Sequence, residues 1–291
     1  MSFLRGKRVN RDQVAVVTGA AGGLGWAMVQ QLAARAQDSG TPLRLVLVDM
    51  NGEALQLRAA ELTQSVVTVD VQVADLSAEA SVAQLCQVLA ARYPQVDLLI
   101  NNAGITHRSL STQTSNAVIR RVMAVDYHAP VELAQGLLAP MRAAGGCVVN
   151  ISSMAGWMPV LGRAGYCAAK SALHQYFETF REEVREDGIS VLMVYPSFVA
   201  TNIDANALSG DGGRAQHAQS TVGQVRTADW MAARILNAVA TGKERLFPWD
   251  KTLLGAYLYK LAPRLFLRQM VKNFRVELEE GRKLARQSSA V

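Results

Sequence analysis

The sequence predicts an α/β fold: a doubly wound parallel sheet of about seven strands with helices on both faces, in a single domain. Three observations carry this expectation. Short, wholly apolar segments alternate with longer helical ones, which is how strands covered on both faces read. A glycine-rich turn follows the first apolar segment. The residues suited to chemistry fall where strands end, the edge at which open α/β sheets bind ligands.

In chain order, Val14-Ala15-Val16-Val17 reads as a buried strand. It runs into Thr18-Gly19-Ala20-Ala21-Gly22-Gly23-Leu24-Gly25 and then a helical stretch over 26–34. Strand, glycine turn and helix start make a phosphate cradle. Glycines let the backbone approach a pyrophosphate, and the helix N-terminus offers free N–H groups. The second strand, 43–48, ends in Asp49, an acid placed to hydrogen-bond ribose hydroxyls and to repel a 2′-phosphate. No basic residue lies in the glycine loop and Met50 follows Asp49, so NAD is favoured over NADP. A solvated strand-end aspartate is the plainer alternative.

Residues 53–62 read as helix, and 66–73 contain the third strand, followed by Ala74-Asp75-Leu76. Ser77 is the expected N-cap of a helix running to Arg92. The fourth strand, 96–100, ends in Asn101-Asn102-Ala103-Gly104. Residues 115–138 read as one helix, 148–151 as the fifth strand, 166–185 as a helix, and 190–195 as the sixth strand, closed by Pro196. The stretch 204–226 is rich in Gly, Ser, Ala and Gln and breaks the rhythm, which predicts a substrate lid over about 202–226. A helix over 227–240 and an edge strand over 245–247, ended by Pro248, complete a catalytic unit of residues 1–248.

Half of the 291 residues are hydrophobic and 19% are charged, an ordinary globular balance. A chain of this size buries roughly 75% of its extended surface and needs no disulfide or metal staple. Cys86, Cys147 and Cys167 are odd in number and scattered; they give no disulfide framework and no metal spacing, so no metal is expected. Cys86 and Cys147 sit in core-like patterns, and Cys167 reads as a small helix-filling residue. The first 13 residues are basic and short of apolar side chains, unlike a signal peptide, and no run is long enough to span a membrane. A reducing, cytoplasmic setting is expected.

The formal charge is +6, and its distribution is uneven: 11 Lys/Arg against 5 Asp/Glu over 243–291, and 19 of each before that. The body therefore gives no electrostatic reason to expect nucleic acid. The extension 249–291 is apolar and basic together, above all over 249–274. Such a helix can lie on an anionic membrane surface. The plainer alternative, and the favoured one, is packing on the domain or on another subunit.

Ser153 follows the fifth strand, and Tyr166 and Lys170 are four apart, one turn apart on one helix face. An ammonium near a phenol favours the phenolate and draws the tyrosine below its usual value of about 10. A tyrosine tuned in this way is a general acid or base. Taken alone, Tyr-x-x-x-Lys is common and reads as a surface pair. His128 and His174 lack metal-ligand companions and read as structural.

Together, the TGAAGGLG loop, Asp49, Ala74-Asp75-Leu76, Asn101-Asn102-Ala103-Gly104 and the Ser153–Tyr166–Lys170 set resemble the compact, single-domain short-chain dehydrogenase/reductases. The resemblance is strong over about 14–201 and looser to about 247. It implies a Rossmann-like NAD(P) domain in which Gly19, Gly23, Leu24 and Gly25 line the pyrophosphate. Gly22 completes the spacing Gly19, Gly22, Gly25, which longer nucleotide-sugar relatives share; the Asn-Asn-Ala-Gly run and the chain length favour the compact form. The resemblance further implies that Asp49 holds the ribose, Asp75 and Leu76 meet the adenine, and Asn101, Asn102, Ala103 and Gly104 pack along the cofactor and brace the sheet. Pro196, Val199 and Thr201, with Ile203, would embrace the nicotinamide. Tyr166 would be the acid/base, Ser153 would hold the substrate oxygen, and Lys170 would bind the nicotinamide ribose and tune Tyr166. A homodimer or homotetramer through 115–138 and 166–185 is also implied.

The sequence departs from the family pattern twice. Asp126 stands where the family has an asparagine that helps hold a proton-relay water, and it adds negative charge near Lys170. Pro196-Ser197 replaces the usual Pro-Gly. The expected pocket comprises Thr106-His107-Arg108, 155–163 and the lid. Trp157, Met158, Val160 and Leu161 suggest a hydrophobic, steroid-like or lipid-like alcohol or ketone; equally, they could pack against the lid. His107 and Arg108 could meet an anionic group, although solvated loop charges are the favoured reading. The rival function is a nucleotide-binding sensor or scaffold of the same fold with weakened turnover, which only Asp126 favours.

Overall fold

In a computed structural model of the chain, residues 12–201, 203–215, 225–247, 250–275 and 278–279 are described. Strands β1 (Gln13–Thr18), β2 (Leu43–Asp49), β3 (Val67–Val73), β4 (Leu98–Asn101), β5 (Cys147–Ile151) and β6 (Ser190–Val194) form a parallel sheet. Strands β7 (Phe198–Val199) and β8 (Val225–Arg226) make a separate parallel pair. With β9 (Arg245–Leu246) the seven-stranded order is β3-β2-β1-β4-β5-β6-β9. The order reverses between β1 and β4, so a crevice opens where their C-terminal ends diverge.

The strands read as unbroken apolar runs because each face has its own core. Ala15, Val17, Leu45, Leu47, Ile100, Val149 and Leu192 face α1 (Gly23–Ser39) and α8 (Ala228–Ala240). Their neighbours Val14, Val16, Val46, Val48, Leu99, Val148 and Val191 face the other way, onto α3 (Glu79–Arg92), α5 (Ala129–Gly136) and α7 (Ala164–Glu183). Helix α2 (Gly52–Glu61) covers the β2–β3 edge, capped by the Asn51 side chain, which accepts from Ala54 N at 3.0 Å.

The single helix expected over 115–138 is broken. It comprises α4 (Asn116–Met123), a π turn over Ala124–His128, α5, and then α6 (Leu138–Ala144). Pro130 has no N–H to return to the Asp126 carbonyl, which disfavours a regular helix there. The wider turn brings Asp126 inward; π turns of this kind cluster at functional sites. Ser77 does not cap α3. Its hydroxyl donates to Asp75 Oδ1 at 2.7 Å, and Ala78 holds the cap position without a side-chain bond. Thr227 does cap α8, accepting from Trp230 N at 3.2 Å.

Within the lid stretch, Leu208 bridges to His107 and to Arg214, while β8 returns to β7; residues 202 and 216–224 lie outside the described residues. The basic start (1–11), Pro248, Trp249 and most of 277–291 also lie outside them. Helices α9 (Lys251–Leu261) and α10 (Pro263–Asn273) form the extension. They turn back so that Phe266, Met270 and Phe274 pack on Met158, Val160 and Leu161. Among the described residues no helix is long and apolar enough to cross a membrane.

Candidate active site

At the β1 end, the loop takes shape from glycines. Gly19 and Gly23 have φ of +64° and +56°, the left-handed region that side chains avoid. A Cβ on Gly25 would collide with the Gly19 carbonyl and come within 2.6 Å of Asn102 Nδ2, so α1 can start this close to β1 only with glycine there. Asn102 braces the loop by donating to Thr18 O at 2.9 Å and Gly19 O at 3.3 Å. Thr18 Oγ1 in turn accepts from Asn102 N and Ala103 N, each at 3.0 Å.

Asp49 closes the next strand. Its carboxylate accepts from Ala21 N at 3.2 Å and Asn51 N at 3.1 Å, which fixes it beside the glycine loop. Arg58 of α2 reaches the same loop: Nε donates to Ala21 O at 3.3 Å, and the guanidinium lies over Trp26 and pairs with Glu61. The absence of a basic residue within the loop concealed this arginine. Its signal was position, one face of α2 shared with Asn51 and Ala54.

At the other end of the crevice, β5 delivers Ser153, whose Oγ accepts from Ala155 N at 3.1 Å. Helix α7 brings in Tyr166 and Lys170, a turn apart and both buried. Lys170 Nζ donates to Ile151 O at 2.9 Å and lies 2.8 Å from Asp126 Oδ1. Asp126 is 0% and Lys170 4% exposed, so this is an interior ion pair. The second Asp126 oxygen accepts from Ile105 N at 3.2 Å. A Cβ on Gly104 would sit 2.7 Å from Asp126 Oδ1, so the glycine makes room for the carboxylate.

Lys170 does pull Tyr166 down, as expected, but the net shift of the phenol is upward. Burial pushes the phenol above its ordinary value; Lys170 pulls it down, Asp126 pushes it up again, and the Ser153 hydrogen bond pulls it down. Burial also raises Asp126, against the pull of Lys170. Burial disfavours the Lys170 ammonium, but Asp126 and Tyr166 outweigh it and hold the lysine above its usual range.

One cavity of about 570 Å³ joins the two ends. Of the residues singled out in the sequence, Gly19, Gly22, Gly23, Leu24, Asp49, Asn102, Ala103, Gly104, Ser153, Tyr166, Pro196, Val199, Thr201 and Ile203 line it. Gly25, Asp126 and Lys170 stand behind this lining. Asp75 is exposed, with its carboxylate turned onto Ser77, and Leu76 is buried; neither borders the cavity. The cradle suits a dinucleotide pyrophosphate: Gly22 borders the cavity, and a Cβ on it would meet no protein atom within 4 Å, so the backbone there lies open to a ligand.

The substrate end is lined by Thr106, Ala155, Met158, Val160, Arg163, Asp204, Asn206, Thr252 and Phe274. Trp157 and Leu161 are not among them. Trp157 packs between Tyr195, Phe247 and His174, with Lys260 Nζ 3.8 Å from its ring centre. Leu161 packs on the α10 cluster. His107 and Arg108 are buried rather than solvated. His107 accepts from Gly165 N at 2.9 Å and so anchors the start of α7; burial and Arg163 lower its pKa to about 4. Arg108 donates to Asp204 O at 2.8 Å, and Arg163 pairs with the Asp204 carboxylate at 3.1 Å. Thr252 and Phe274 come from helices that follow every motif, and only the 266/270/274 spacing hinted at an inward face. His174 bonds the Tyr195 hydroxyl at 2.7 Å and His128 packs on Tyr127, both structural contacts.

Comparison with known proteins bears on this arrangement. The family model described as short chain dehydrogenase matches residues 13–211. A curated relative from Bos taurus, dehydrogenase/reductase SDR family member 7B, is 35% identical over 95% of this chain and 86% of its own. A solved short-chain dehydrogenase from Sphingobium yanoikuyae, in complex with NADPH, is 26% identical with a TM-score of 0.71, covering 81% of this chain and 88% of that one. A short chain dehydrogenase/reductase from Burkholderia phymatum, in complex with NAD, shares the fold at 23% identity and a TM-score of 0.73, covering 87% and 95%.

Proposed function

The chain belongs to the short-chain dehydrogenase/reductase family of oxidoreductases, and from that premise we propose that it interconverts a hydrophobic secondary alcohol and its ketone, with Tyr166 as acid/base. One observation carries the reading: Ser153 and Tyr166 border the same cavity as the glycine cradle, with Lys170 buried one turn along α7.

The backbone of Gly19 to Leu24 would hold the pyrophosphate, Asp49 the adenosine ribose, and Pro196 to Thr201 the nicotinamide side. When bound, the dinucleotide supplies the hydride donor or acceptor. Ser153 donates a hydrogen bond to the substrate oxygen, a preorganised contact worth a few kcal/mol in the transition state. Tyr166 gives that oxygen a proton in reduction and takes it back in oxidation. Lys170, kept charged by Asp126, favours the phenolate. Met158, Val160 and Phe274 favour an apolar substrate body.

Asp49 supports NAD. Arg58, bonded to Ala21 O, supports NADP as the second reading, and both cofactors occur among the solved relatives. Secondary alcohols and ketones assayed with both cofactors decide between them; a clear preference for NADP overturns the Asp49 argument. Tyr166→Phe is expected to lower turnover about a thousandfold while cofactor affinity, read by NADH fluorescence, is unchanged. Full activity in that variant refutes the mechanism. Cofactor binding without turnover on any substrate supports a sensor instead.

A further inference from the structure

Among the described residues, thirteen large apolar side chains are exposed, and seven of them lie on α9 and α10. On α9 they are Leu254, Tyr257, Leu258 and Leu261, at 69%, 51%, 36% and 85% exposure. Their spacing of i, i+3, i+4 and i+7 is the stripe a helix normally buries. Here α9 buries Thr252 and Ala256 instead and turns the stripe outward. On α10 Leu265, Leu267 and Val271 are exposed.

These side chains stand on anchored helices. Phe266, Met270 and Phe274 pack inward, Lys260 sits on Trp157, and the Asp250 carboxylate caps α9 while accepting from Ser197 Oγ at 2.7 Å. The outward face is also uniformly cationic. Arg264, Arg268 and Lys272 repeat every four residues on α10 and are exposed, and no acid occurs between Lys251 and Lys272. A second copy meeting this face about a two-fold axis would oppose like charges. Anionic headgroups over acyl chains match both the charge and the apolar stripe.

We propose that α9 and α10 dock this protein on an anionic lipid bilayer, lying in its interface. The helices are too short to span it. On the function proposed above, this would set the substrate end of the cavity, walled by Thr252 and Phe274, beside the lipid.

The test is sedimentation of the full chain with vesicles of phosphatidylcholine alone or mixed with phosphatidylglycerol, an assay that needs no turnover. The protein is expected to pellet with the phosphatidylglycerol vesicles, and less so as salt rises. Arg264→Glu/Arg268→Glu/Lys272→Glu is expected to lower that partition on the order of a hundredfold. Leu258→Gln/Leu261→Gln/Leu265→Gln should weaken binding with every charge in place. Light scattering on the wild type and the leucine variant is expected to give the same mass. Equal or absent partition onto the two vesicle types overturns the proposal. So does a leucine variant that dissociates an oligomer, because the face then joins two copies. Turnover of a short, soluble substrate by the glutamate variant separates failure here from failure of the oxidoreductase reading.

Discussion

The two ends of the cavity are built on opposite principles. At the glycine end the chain makes a surface by leaving side chains out, within eight consecutive residues and one bracing asparagine. At the tyrosine end it packs side chains in. Ser153, Tyr166, Lys170 and Asp126 arrive from β5, α7 and a π turn, and two of them form a buried ion pair. Shape made of backbone has little slack, so the glycine end should fail abruptly. A set of charges balanced against burial should instead respond by degrees.

The largest expected effect breaks the glycine end. Gly25→Ala drives a methyl into the Gly19 carbonyl and Asn102. Overpacking of this kind costs about 1–3 kcal/mol and must move the loop that forms the cradle. Titration with NADH should show affinity down by about a hundredfold or more, with a lowered melting temperature. Gly22→Ala is the control: its added methyl meets no protein atom, so stability should hold within about 1 kcal/mol. Its NADH affinity should still fall, because Gly22 borders the cavity where the pyrophosphate would lie. If the two variants lose stability equally, close backbone packing is not what Gly25 provides.

The same contrast governs what could be read from the sequence. The cradle was legible because its parts are contiguous and its glycines have a local reason. The strands were legible because burial on both faces makes them wholly apolar. The break at Ala124–His128 was not, since the helical spacing of Val118, Val122, Val125, Ala129 and Leu133 runs through it and Pro130 was the lone signal. Asp126 stood out as a departure, but its burial and its bond to Ile105 N depend on how three segments meet. His107 reads as a loop charge until the fold brings it to Gly165, 58 residues away. The extension was legible as apolar and basic together over 249–274, whereas the surface that Phe266, Met270 and Phe274 cover was not.

The intermediate effect sharpens the tyrosine end. Asp126→Asn removes the charge and keeps one acceptor oxygen, which can serve Lys170 or Ile105 N but not both. Deleting one partner of a buried pair costs about 3–5 kcal/mol, and the isosteric amide should cost less. The pair also predicts how stability follows pH. Because Lys170 is raised on folding, its contribution is full below the ordinary lysine pKa and is lost as pH climbs through the raised value. The asparagine variant should therefore lose less on the alkaline side. Asp126 also pushes Tyr166 up, so its removal should move the pH midpoint of alcohol oxidation to lower pH. A midpoint that stays or rises would mean the carboxylate acts only by holding Lys170.

The smallest effect concerns the seam between the two ends. Ser197, where the family prefers glycine, donates to Asp250 at 2.7 Å, and the same carboxylate caps α9 at Thr252 N. One hydroxyl thus ties the Pro196–Thr201 segment to the C-terminal helices that wall the substrate end. Ser197→Ala removes that tie and leaves the cap. A half-buried hydrogen bond of this kind is worth about 1 kcal/mol, or roughly 2 °C of melting temperature in a chain of this length. If the tie also carries order from α9 to the cofactor segment, NADH affinity should fall about twofold to fivefold, and Asp250→Ala should lower it by more because it removes the cap as well. A melting shift with unchanged affinity would make Ser197 a local staple, leaving the cofactor segment indifferent to the helices behind it.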